Sequence, residues 1–496
     1  MIFLMTCLTM SAQNVDVSGK VTDTSGQPLA GVFVQQSGSS NAVSTDEDGR
    51  YSINVPPGAT LQFSCIGFKE TQVQLYDRTV IDVVMQEDSQ MLDETIVVGY
   101  GTQKSKDLTA PVVTVKNDEL ARQISPHLMS ALQGKVAGVQ VIGSGAPGTS
   151  PTVRIRGTGS IGDYANPLYI VDGVFVDDIG FLSPSDIQER TVLKDASASA
   201  IYGVRAANGV IIITTKRGSV GRASVTYDGY IGVQTPVNVM RLAGKNQYVE
   251  LLNEANAGVS GYVPKNPGDY SLNTDWYSQL LRNALTQNHS LDVSGATEKT
   301  NYSVGLAYLN QNGIMKADNA YDRLNFRARL DQSVNQWLDL GVNAVLSRYT
   351  LSSADVSAFF QAFVNPPVYG VYNNDNEAAY PVKYDSPQLY GFSNSYANPY
   401  AIAQYSENGE RGLNLVFSAY AQLKFLSDRL KIRTSYNLDY NSYRTQSYIP
   451  EYFVGGSQGI SVSSLAKTFA LSDMHIIDNT ITYSDRIMRH SFSAML

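Results

Sequence analysis

A two-residue alternation of apolar and polar side chains runs through the second half of the chain, from about residue 223 onward. In one such run, Leu324, Phe326, Ala328 and Leu330 alternate with Arg323, Asn325, Arg327 and Arg329. Successive side chains of a strand point to opposite faces, so these runs predict strands with one apolar and one polar face. Runs near residues 223, 288, 300, 322, 337, 413, 429, 468 and 488 predict eight or nine long strands.

The length of these runs separates two fold classes. A tilted strand needs roughly 9 to 11 residues to cross a bilayer, whereas strands of soluble sandwiches usually have about 5 to 6. Many of the runs approach the longer value, and Tyr and Phe lie near their ends. We therefore favour a transmembrane β-barrel over a soluble sandwich. The sequence has no stretch of about 18 apolar residues, so it predicts no membrane-spanning helix.

Composition narrows the classes of function. Charged residues make up 17% of the chain and the formal net charge is −8, so binding to nucleic acid is not expected. The two cysteines, Cys7 and Cys65, cannot form a disulfide framework if the first is removed with a leader. Cys65 lies on the apolar side of its run and is interpreted as a small core residue.

The N-terminal region predicts a leader followed by a small β-domain. MIFLMTCLTMSAQ resembles the later part of a secretory signal peptide over residues 1–12, without the usual basic start; a weak lipoprotein-like pattern at Leu4–Cys7 is the alternative. Residues 14–87 contain short alternating runs broken by turn residues, which predicts a β-sandwich. Asp46 and Asp48 resemble the start of a calcium loop, but a hairpin turn explains them equally well.

Residues 88–118 differ in composition from the alternating runs that precede them. An acidic, polar stretch leads into a β-prone run at Thr95–Val98, which glycines follow at positions 99 and 101. The run has no obvious partner strand of its own, which suggests pairing with another protein. An ordinary linker strand added to the first module is an equally good interpretation of the pattern.

Residues 119–222 mix helical and strand patterns, which predicts an α+β domain. LMSALQGKVAGVQVI predicts a short helix and a strand, and NGVIIITTKRG predicts a buried strand opened by an Asn-Gly turn. Gly157, Gly159 and Gly162 have the spacing of a dinucleotide-binding loop, but no helix pattern follows them. A turn is therefore the better interpretation.

Five segments, in order, resemble the SusC/RagA type of TonB-dependent outer-membrane transporter. They are DETIVVGYGTQKSKDLT (93–109), LQGKVAGVQV (132–141), VRIRGTGS (153–160), PLYIVDGV (167–174) and VLKDASASAIYGVRAANGVIIITTKRG (192–218). The resemblance implies a mainly β protein with a carboxypeptidase-regulatory-like sandwich at 14–87, a linker with the TonB-box region at 88–118, a plug domain at 119–222 and barrel strands at 223–496.

The resemblance also implies a mechanism and partners. The TonB-box region is assigned to Asp93, Glu94, Thr95, Ile96, Val97, Val98, Gly99 and Tyr100. Structural or gating roles in the plug are assigned to Arg154, Arg156, Gly157, Asp172, Gly173, Lys194 and Asp195. The implied partners are TonB, a SusD-like surface lipoprotein and outer-membrane lipid, and the implied cargo is a large oligosaccharide or oligopeptide. The implied location is the outer membrane of a Gram-negative bacterium, with the N-terminal module in the periplasm.

The strand count leads to a further expectation. A plug of about 100 residues does not fit inside an eight-stranded barrel, whereas plugged barrels have about 22 strands. We therefore expect the first strands of an incomplete transmembrane β-barrel, in a chain that is the N-terminal part of a longer protein. Arg154 and Arg156, two residues apart on one predicted strand, are expected to face acidic groups of the barrel wall; phosphate binding is the alternative.

Enzyme motifs are weak in this sequence. The four histidines, at positions 127, 289, 475 and 490, lack zinc-site spacing, and no G-x-S-x-G motif occurs. We expect no enzyme activity, no metal and no cofactor. A secreted or surface adhesion protein made of β-domains is the main rival, and signalling through the N-terminal module is a third reading. Tyr-rich stretches at 359–372 and 380–405 are candidate cargo contacts, with loop packing as the alternative.

Overall fold

The structure is a computed structural model that describes residues 14–24, 26–37, 39, 41–65, 68, 71–76, 78–86, 95–98, 101–104, 112–116, 127–159, 166–195, 199–487 and 490–496. The predicted leader and four residues of the predicted TonB-box region, Asp93, Glu94, Gly99 and Tyr100, lie outside these ranges. The chain divides into two compact units, Met1–Thr109 and Ala110–Leu496.

The first unit contains a β-sandwich, as the alternating runs predict. Its strands are β1 (Val15–Thr22), β2 (Phe33–Gln36), β3 (Ala42–Ser44), β4 (Arg50–Val55), β5 (Thr60–Ser64), β6 (Thr71–Gln74) and β7 (Val83–Val84). They form one sheet of order β4-β1-β7 and another of order β3-β2-β5-β6. Tyr51 and Phe63 meet edge to face in the core, with ring centroids 5.3 Å apart.

Asp46 and Cys65, two residues singled out in the sequence, have structural roles within this unit. Asp46 Oδ1 accepts hydrogen bonds from the backbone N–H groups of Asp48 and Arg50, and Gly49 has a φ of 77°. This geometry is a turn between β3 and β4, and local hydrogen bonds account for the Asp46 side chain. The two strands belong to different sheets, so the turn does not close a hairpin. Cys65 is partly buried and packs against the sandwich core.

A separate two-stranded hairpin follows in the first unit. It consists of β8 (Thr95–Val98) and β9 (Gly101–Lys104), and the antiparallel ladder pairs Val98 with Gly101. The sequence pattern shows no partner strand for Thr95–Val98, but the structure supplies one. The partner lies directly after it in the chain.

The second unit begins with a mixed domain. Its strands are β10 (Val112–Lys116), β11 (Val139–Ile142), β12 (Thr152–Ile155), β13 (Leu168–Val171), β14 (Val174–Val176), β15 (Ile187–Leu193) and β16 (Val210–Thr215). Short 3-10 segments lie at Ser130–Leu132, Pro184–Asp186 and Ala200–Ala206. We refer to residues 112–216 as the plug because of the resemblance described above.

The plug is organised around a five-stranded sheet of order β10-β15-β16-β13-β14, and β11 and β12 form a separate hairpin. The strands β13 and β16 are parallel, whereas β10 and β15 are antiparallel. Strand β10 had been placed in the linker at 88–118. Its β-branched run instead pairs with β15 and forms an edge of the plug sheet.

A nine-stranded antiparallel sheet makes up most of the second unit, and we call it the wall. Its strands, in both spatial and chain order, are β17 (Ser224–Gln234), β18 (Ala284–Ala296), β19 (Thr300–Asn312), β20 (Ala320–Asn335), β21 (Leu338–Ser353), β22 (Glu407–Phe425), β23 (Leu430–Ile449), β26 (Ser464–Ile487) and β27 (His490–Met495). All nine alternating runs are therefore strands of one sheet. Most are longer than the minimum needed to cross a bilayer.

The wall exposes its apolar face and buries its polar face. Leu306, Phe326 and Val342 are 48%, 43% and 43% exposed. On the opposite face, Asn325 and Arg327 are 1% and 0% exposed, because the plug packs against this side. A soluble protein has the reverse pattern, so the apolar face suits contact with lipid.

The two ends of the wall differ in their connections. Residues 297–299, 336–337 and 426–429 link strands at one end, which we call the short-turn end. Residues 235–283, 313–319, 354–406 and 450–463 link them at the other, the long-loop end. The long loops contain the helices α1 (Lys245–Ala255), α2 (Trp276–Leu280), α3 (Ser357–Val364) and α4 (Pro399–Gln404), a 3-10 segment at Pro267–Asp269, another at Pro387–Tyr390, and the hairpin of β24 (Tyr452–Gly455) and β25 (Gln458–Ile460). Within the described residues, no helix is long and apolar enough to span a membrane.

Candidate functional site

A tight turn of the plug presents a carboxylate to the wall. Asp172 and Gly173 connect β13 to β14, and their φ angles are 48° and 91°. Two successive positive φ angles are typical of a type I′ hairpin turn, for which Asp-Gly is a preferred pair. The turn directs the Asp172 side chain away from its own hairpin.

Asp172 is bound from both the plug and the wall. Within the plug, it accepts hydrogen bonds from the backbone N–H and the hydroxyl of Thr215, at 3.1 and 2.6 Å. From the wall, Arg329 Nη1 donates to it at 3.1 Å and Asn343 Nδ2 donates at 2.7 Å. A carboxylate with four donors is well satisfied although its side chain is only 4% exposed.

A second buried cluster centres on Arg327 of the wall. Its Nε lies 3.2 Å from Asp186 of the plug, and its Nη2 lies 2.5 Å from Asp292 of the wall. Its Nη1 donates to Ser303 Oγ at 2.8 Å and to the backbone carbonyl of Lys216 at 3.0 Å. Gly305 makes room for the cluster, because a Cβ there would lie 2.8 Å from an Asp292 oxygen.

Strand β20 continues this pattern along its whole inward face. Arg323 donates to the backbone carbonyl of Gly180, and Asn325 donates to that of Phe181. Arg327 and Arg329 then contact Asp186 and Asp172. Because alternate residues of a strand share one face, a single wall strand holds the plug segment from Asp172 to Asp186 along its length.

Burial sets the electrostatics of the Arg327 cluster. Removal of Asp186 from water raises the pKa of its carboxyl group, and the positive charge of Arg327 opposes that rise. A buried pair of this kind depends on both partners, since either charge alone would be poorly solvated. The cluster therefore makes the position of the plug sensitive to the loss of either side chain.

The arginines expected to meet the wall do not do so. Arg154 donates to Asn166 at 2.6 Å, and Arg156 forms an ion pair with Asp195 at 2.5 Å; both partners belong to the plug. Arg156 has a φ of 58° and lies just beyond the end of β12, so the two-residue alternation does not extend to it. The wall supplies the arginines, and the plug supplies the carboxylates.

The remaining predicted plug residues have local contacts. Lys194 donates to the carbonyl oxygen of Ala137 at 3.0 Å, and Gly157 has a φ of 95°, which fits a turn. Of the seven predicted plug residues, Asp172 has described side-chain contacts with the wall. The sequence analysis missed Asp186, Asp292, Arg323, Arg327, Arg329 and Asn343. The sequence signal for these contacts was the polar side of β20. Three of the four alternate residues from 323 to 329 on that side are arginines.

The predicted TonB-box region is described only in part. Thr95, Ile96, Val97 and Val98 are residues of β8, and they pair with Lys104, Gln103, Thr102 and Gly101 of β9. Nothing in this pairing identifies a partner protein. The region therefore stays a prediction.

A cavity of about 700 Å³ lies between the plug and the wall. The hairpin of β11 and β12 and its connecting residues line one side, and Gln234 and Gln311 of the wall line the other. Gln234 ends β17 and Gln311 is the last but one residue of β19, so the cavity lies near the long-loop end.

One glycine beside this cavity packs closely on the wall. Gly148, in the connection between β11 and β12, has a φ of 69° and packs on the ring of Tyr321 of the wall. A Cβ at this position would lie 2.4 Å from Tyr321 Cδ2, so a larger residue would displace the connection. Gly148 N also approaches Gln311 Oε1, at 3.4 Å.

Most tyrosines of the Tyr-rich stretches pack in the long loops. Tyr369, Tyr384 and Tyr405 are at most 7% exposed, and Tyr405 stacks on Tyr452 with ring centroids 4.2 Å apart. Loop packing therefore explains these rings. Tyr372 and Tyr380 are exposed and remain candidates for contact with cargo. In the part of the chain that the structure describes, no group of three or more His, Cys, Asp or Glu is placed to hold a metal ion.

Two family models match the N-terminal part of the chain. The CarboxypepD_reg-like domain matches residues 17–97, and the TonB-dependent Receptor Plug Domain matches residues 104–210. The second match coincides with most of the mixed domain that contacts the wall. Its range also includes β10, in agreement with the pairing of that strand in the plug sheet.

Full-length relatives are similar along much of the chain. TonB-dependent receptor SusC of Bacteroides thetaiotaomicron is 34% identical over 379 residues, which cover 74% of this chain and 37% of the relative. TonB-dependent receptor P26 of Formosa agariphila is 31% identical over 485 residues, which cover 95% of this chain and 47% of the relative. The chain therefore spans less than half the length of these relatives.

A solved structure extends the similarity to the fold. The RagAB peptide importer in its open-open state aligns with a TM-score of 0.69 and 26% identity, over 81% of this chain and 48% of the solved chain. The aligned region is too long to be the plug alone. The match therefore includes part of the wall.

Proposed function

The chain belongs to the SusC/RagA type of TonB-dependent receptors, and we propose that it imports a large nutrient, an oligosaccharide or an oligopeptide, across the outer membrane. The observation that carries this proposal is the buried polar contact between the plug and the wall. Asp172 and Asp186 of the plug are held by Arg329 and Arg327 of one wall strand. These contacts keep the plug in its blocking position, and transport requires their release.

The exposed apolar face of the wall supports placement in the outer membrane. Lipid accepts apolar side chains, and long antiparallel strands satisfy their backbone groups through their neighbours. Outer-membrane barrels have short periplasmic turns and longer extracellular loops. The long-loop end then faces the outside of the cell, and the plug enters the wall from the periplasmic side.

Energy coupling is assigned to the β8 region. A short β-prone segment can add to the edge of a partner's sheet, where main-chain hydrogen bonds provide affinity. In this proposal TonB pairs with Thr95–Val98 after that strand leaves β9. Force applied there reaches the plug at its first described strand, β10.

A second component at the cell surface completes the proposed transporter. The solved relative is described as the RagAB importer, which names two components. We propose that a SusD-like lipoprotein binds the long loops of this chain and delivers cargo to the cavity between the plug and the wall. The exposed rings of Tyr372 and Tyr380 are available for such contacts.

The coupling assignment is tested with two substitutions at one position. Val97→Pro removes a backbone donor and prevents strand addition, whereas Val97→Thr keeps the donor and the β-branched shape. We expect Val97→Pro to abolish TonB-dependent uptake and capture by the purified periplasmic domain of TonB, with normal assembly in the outer membrane. Val97→Thr should retain both. Normal uptake by the proline variant would exclude this segment as the coupling site.

A further inference from the structure

The cavity near the long-loop end is lined by neutral polar groups. Four glutamines line it, Gln133, Gln140, Gln234 and Gln311, together with the hydroxyl-bearing residues Ser130 and Thr149. Among the described residues of the lining there is no Asp, Glu, Lys or Arg. Each carboxamide can both donate and accept hydrogen bonds, as a sugar hydroxyl can.

His127, the one titratable group among the described residues of the lining, is neutral at physiological pH. Burial of the imidazole, and then the nearby charge of Arg323, lower the pKa of His127 to about 4. The guanidinium of Arg323 donates to the carbonyl oxygen of Gly180 and is not part of the lining. A ligand in this cavity therefore meets no full charge among the described residues of the lining.

The cavity also has an apolar strip and an unused acceptor. Val139, Ile142 and Pro151 contribute the strip, which suits the C–H faces of a sugar ring. The Oε1 atom of Gln234 is buried and has no hydrogen-bond partner among the described residues. Because this atom is closed to solvent, a donor of a bound molecule reaches it only after the Gln234 side chain turns towards the cavity.

We propose that this cavity binds an uncharged, hydroxyl-rich segment of the cargo, so that the imported nutrient is a neutral oligosaccharide. The proposal rests on the transport function proposed above and specifies the substrate class of the same site. Neutral hydroxyls match the carboxamides in both donor and acceptor roles. The volume of about 700 Å³ lies within the range of small-molecule sites.

Charged cargo fits this cavity poorly. A peptide with ionised ends or side chains, or an acidic sugar, would lose water from its charges and find no opposite charge on the lining. Transfer of an unpaired charge into such a site is strongly unfavourable. The same argument separates neutral from acidic oligosaccharides.

The test measures binding of three defined probe sets to the purified detergent-solubilised protein by native mass spectrometry. The sets are neutral gluco-, manno-, galacto- and xylo-oligosaccharides of four to eight units, oligogalacturonates of the same lengths, and a tryptic digest of casein. We expect binding within the neutral set alone. Preferential binding of galacturonates or peptides would overturn the proposal, as would the absence of binding by every neutral probe.

Variants then locate the site. The double substitution Gln140→Glu and Gln234→Glu places two negative charges on the lining, and we expect at least a tenfold loss of affinity for the neutral probe. Gln332→Glu is the matched control, because Gln332 lies near the short-turn end and accepts a hydrogen bond from Thr300 at 2.7 Å. Far-ultraviolet circular dichroism checks that each variant is folded. Unchanged affinity in the folded double variant would exclude this cavity.

Failure of this proposal and failure of the transport function give different results. The binding assay uses purified protein without TonB, so it does not depend on energy coupling. Normal uptake by the Val97→Pro variant would contradict the coupling assignment and leave the binding result unaffected. Binding of peptides alone would contradict the neutral-sugar proposal and leave TonB-dependent transport intact.

Discussion

Arg327 joins two carboxylates that lie far apart in the chain. Its partner Asp186 is 141 residues away in the plug, and its partner Asp292 is 35 residues away in the wall. The arginine is 0% exposed, so bulk water cannot solvate the two carboxylates in its place. At the residue scale, this side chain makes the plug and the wall depend on each other.

We expect Arg327→Met to destabilise the contact between the plug and the wall by about 3 to 5 kcal/mol, because it leaves buried carboxylates without their main counter-charge. Protease accessibility of the plug and chemical unfolding of the purified protein measure the effect. Arg156→Met is the matched control: its ion pair is internal to the plug and its side chain is 55% exposed. That pair should contribute at most about 1 kcal/mol. Equal effects of the two variants would contradict the assigned role of Arg327.

The Arg327→Met variant should also show a distinct pH dependence. Burial already raises the pKa of Asp186, and loss of the arginine charge removes the main opposition to that rise. A carboxyl group with a raised folded-state pKa destabilises the fold as pH increases above its unfolded pKa. The stability deficit of the variant, measured against the parent, should therefore be smaller at pH 5 than at pH 8. A deficit independent of pH would exclude ionisation of Asp186 as the cause.

At the scale of elements, the connection between β11 and β12 shapes the cavity through two glycines with similar backbone angles. Gly148 and Gly145 have φ values of 69° and 74°. Gly148 packs against Tyr321, whereas a Cβ on Gly145 would meet no atom within 4 Å. The backbone strain of a substitution is comparable at the two positions, and the steric cost differs.

We expect Gly145→Ala to destabilise the protein by about 1 to 2 kcal/mol through the left-handed backbone alone. Gly148→Ala should cost a further 1 to 3 kcal/mol, roughly the range for overpacked sites, because the methyl group collides with the Tyr321 ring. Thermal unfolding measures the difference between the variants. A Gly148→Ala variant as stable as Gly145→Ala would contradict the close packing of this connection on the wall.

Elements differ in how well the sequence predicts them. All nine wall strands were anticipated, because a single strand with one apolar face carries its signal in its own residues. The hairpin of β8 and β9 was missed, since Gly101–Lys104 lacks the alternation of apolar and polar residues that marks a strand. Strand β10 was assigned to the linker, because five residues between polar stretches do not reveal which sheet they join.

At the scale of the whole molecule, the N-terminal sandwich has a core of its own. Val21, Leu61 and Phe63 are each 0% exposed within one cluster of residues from this module. A domain with its own buried core can fold without the rest of the chain. The alternating runs of residues 14–87 predict the strands that enclose this core.

We expect residues 14–87, expressed alone, to unfold in one cooperative transition, as followed by circular dichroism in urea. Phe63→Ala should reduce the free energy of unfolding by about 3 to 5 kcal/mol, since it empties a buried site. Phe33→Ala, at a position that is 46% exposed, should change it by about 0.5 kcal/mol. A broad transition, or equal effects of both substitutions, would contradict an independent core.

The sequence by itself determined the wall strands and the two faces of the wall, because periodicity acts over a few neighbouring positions. The plug segments were identified by their resemblance to a known family. Period two assigns Arg327 to the polar face, but it cannot select Asp186 as its partner from 141 residues away. Only the tertiary structure decided which charges meet, that the plug is held by arginines of the wall, and that four glutamines line one cavity. These depend on how the plug packs against the wall, and that arrangement follows from the sum of many distant contacts.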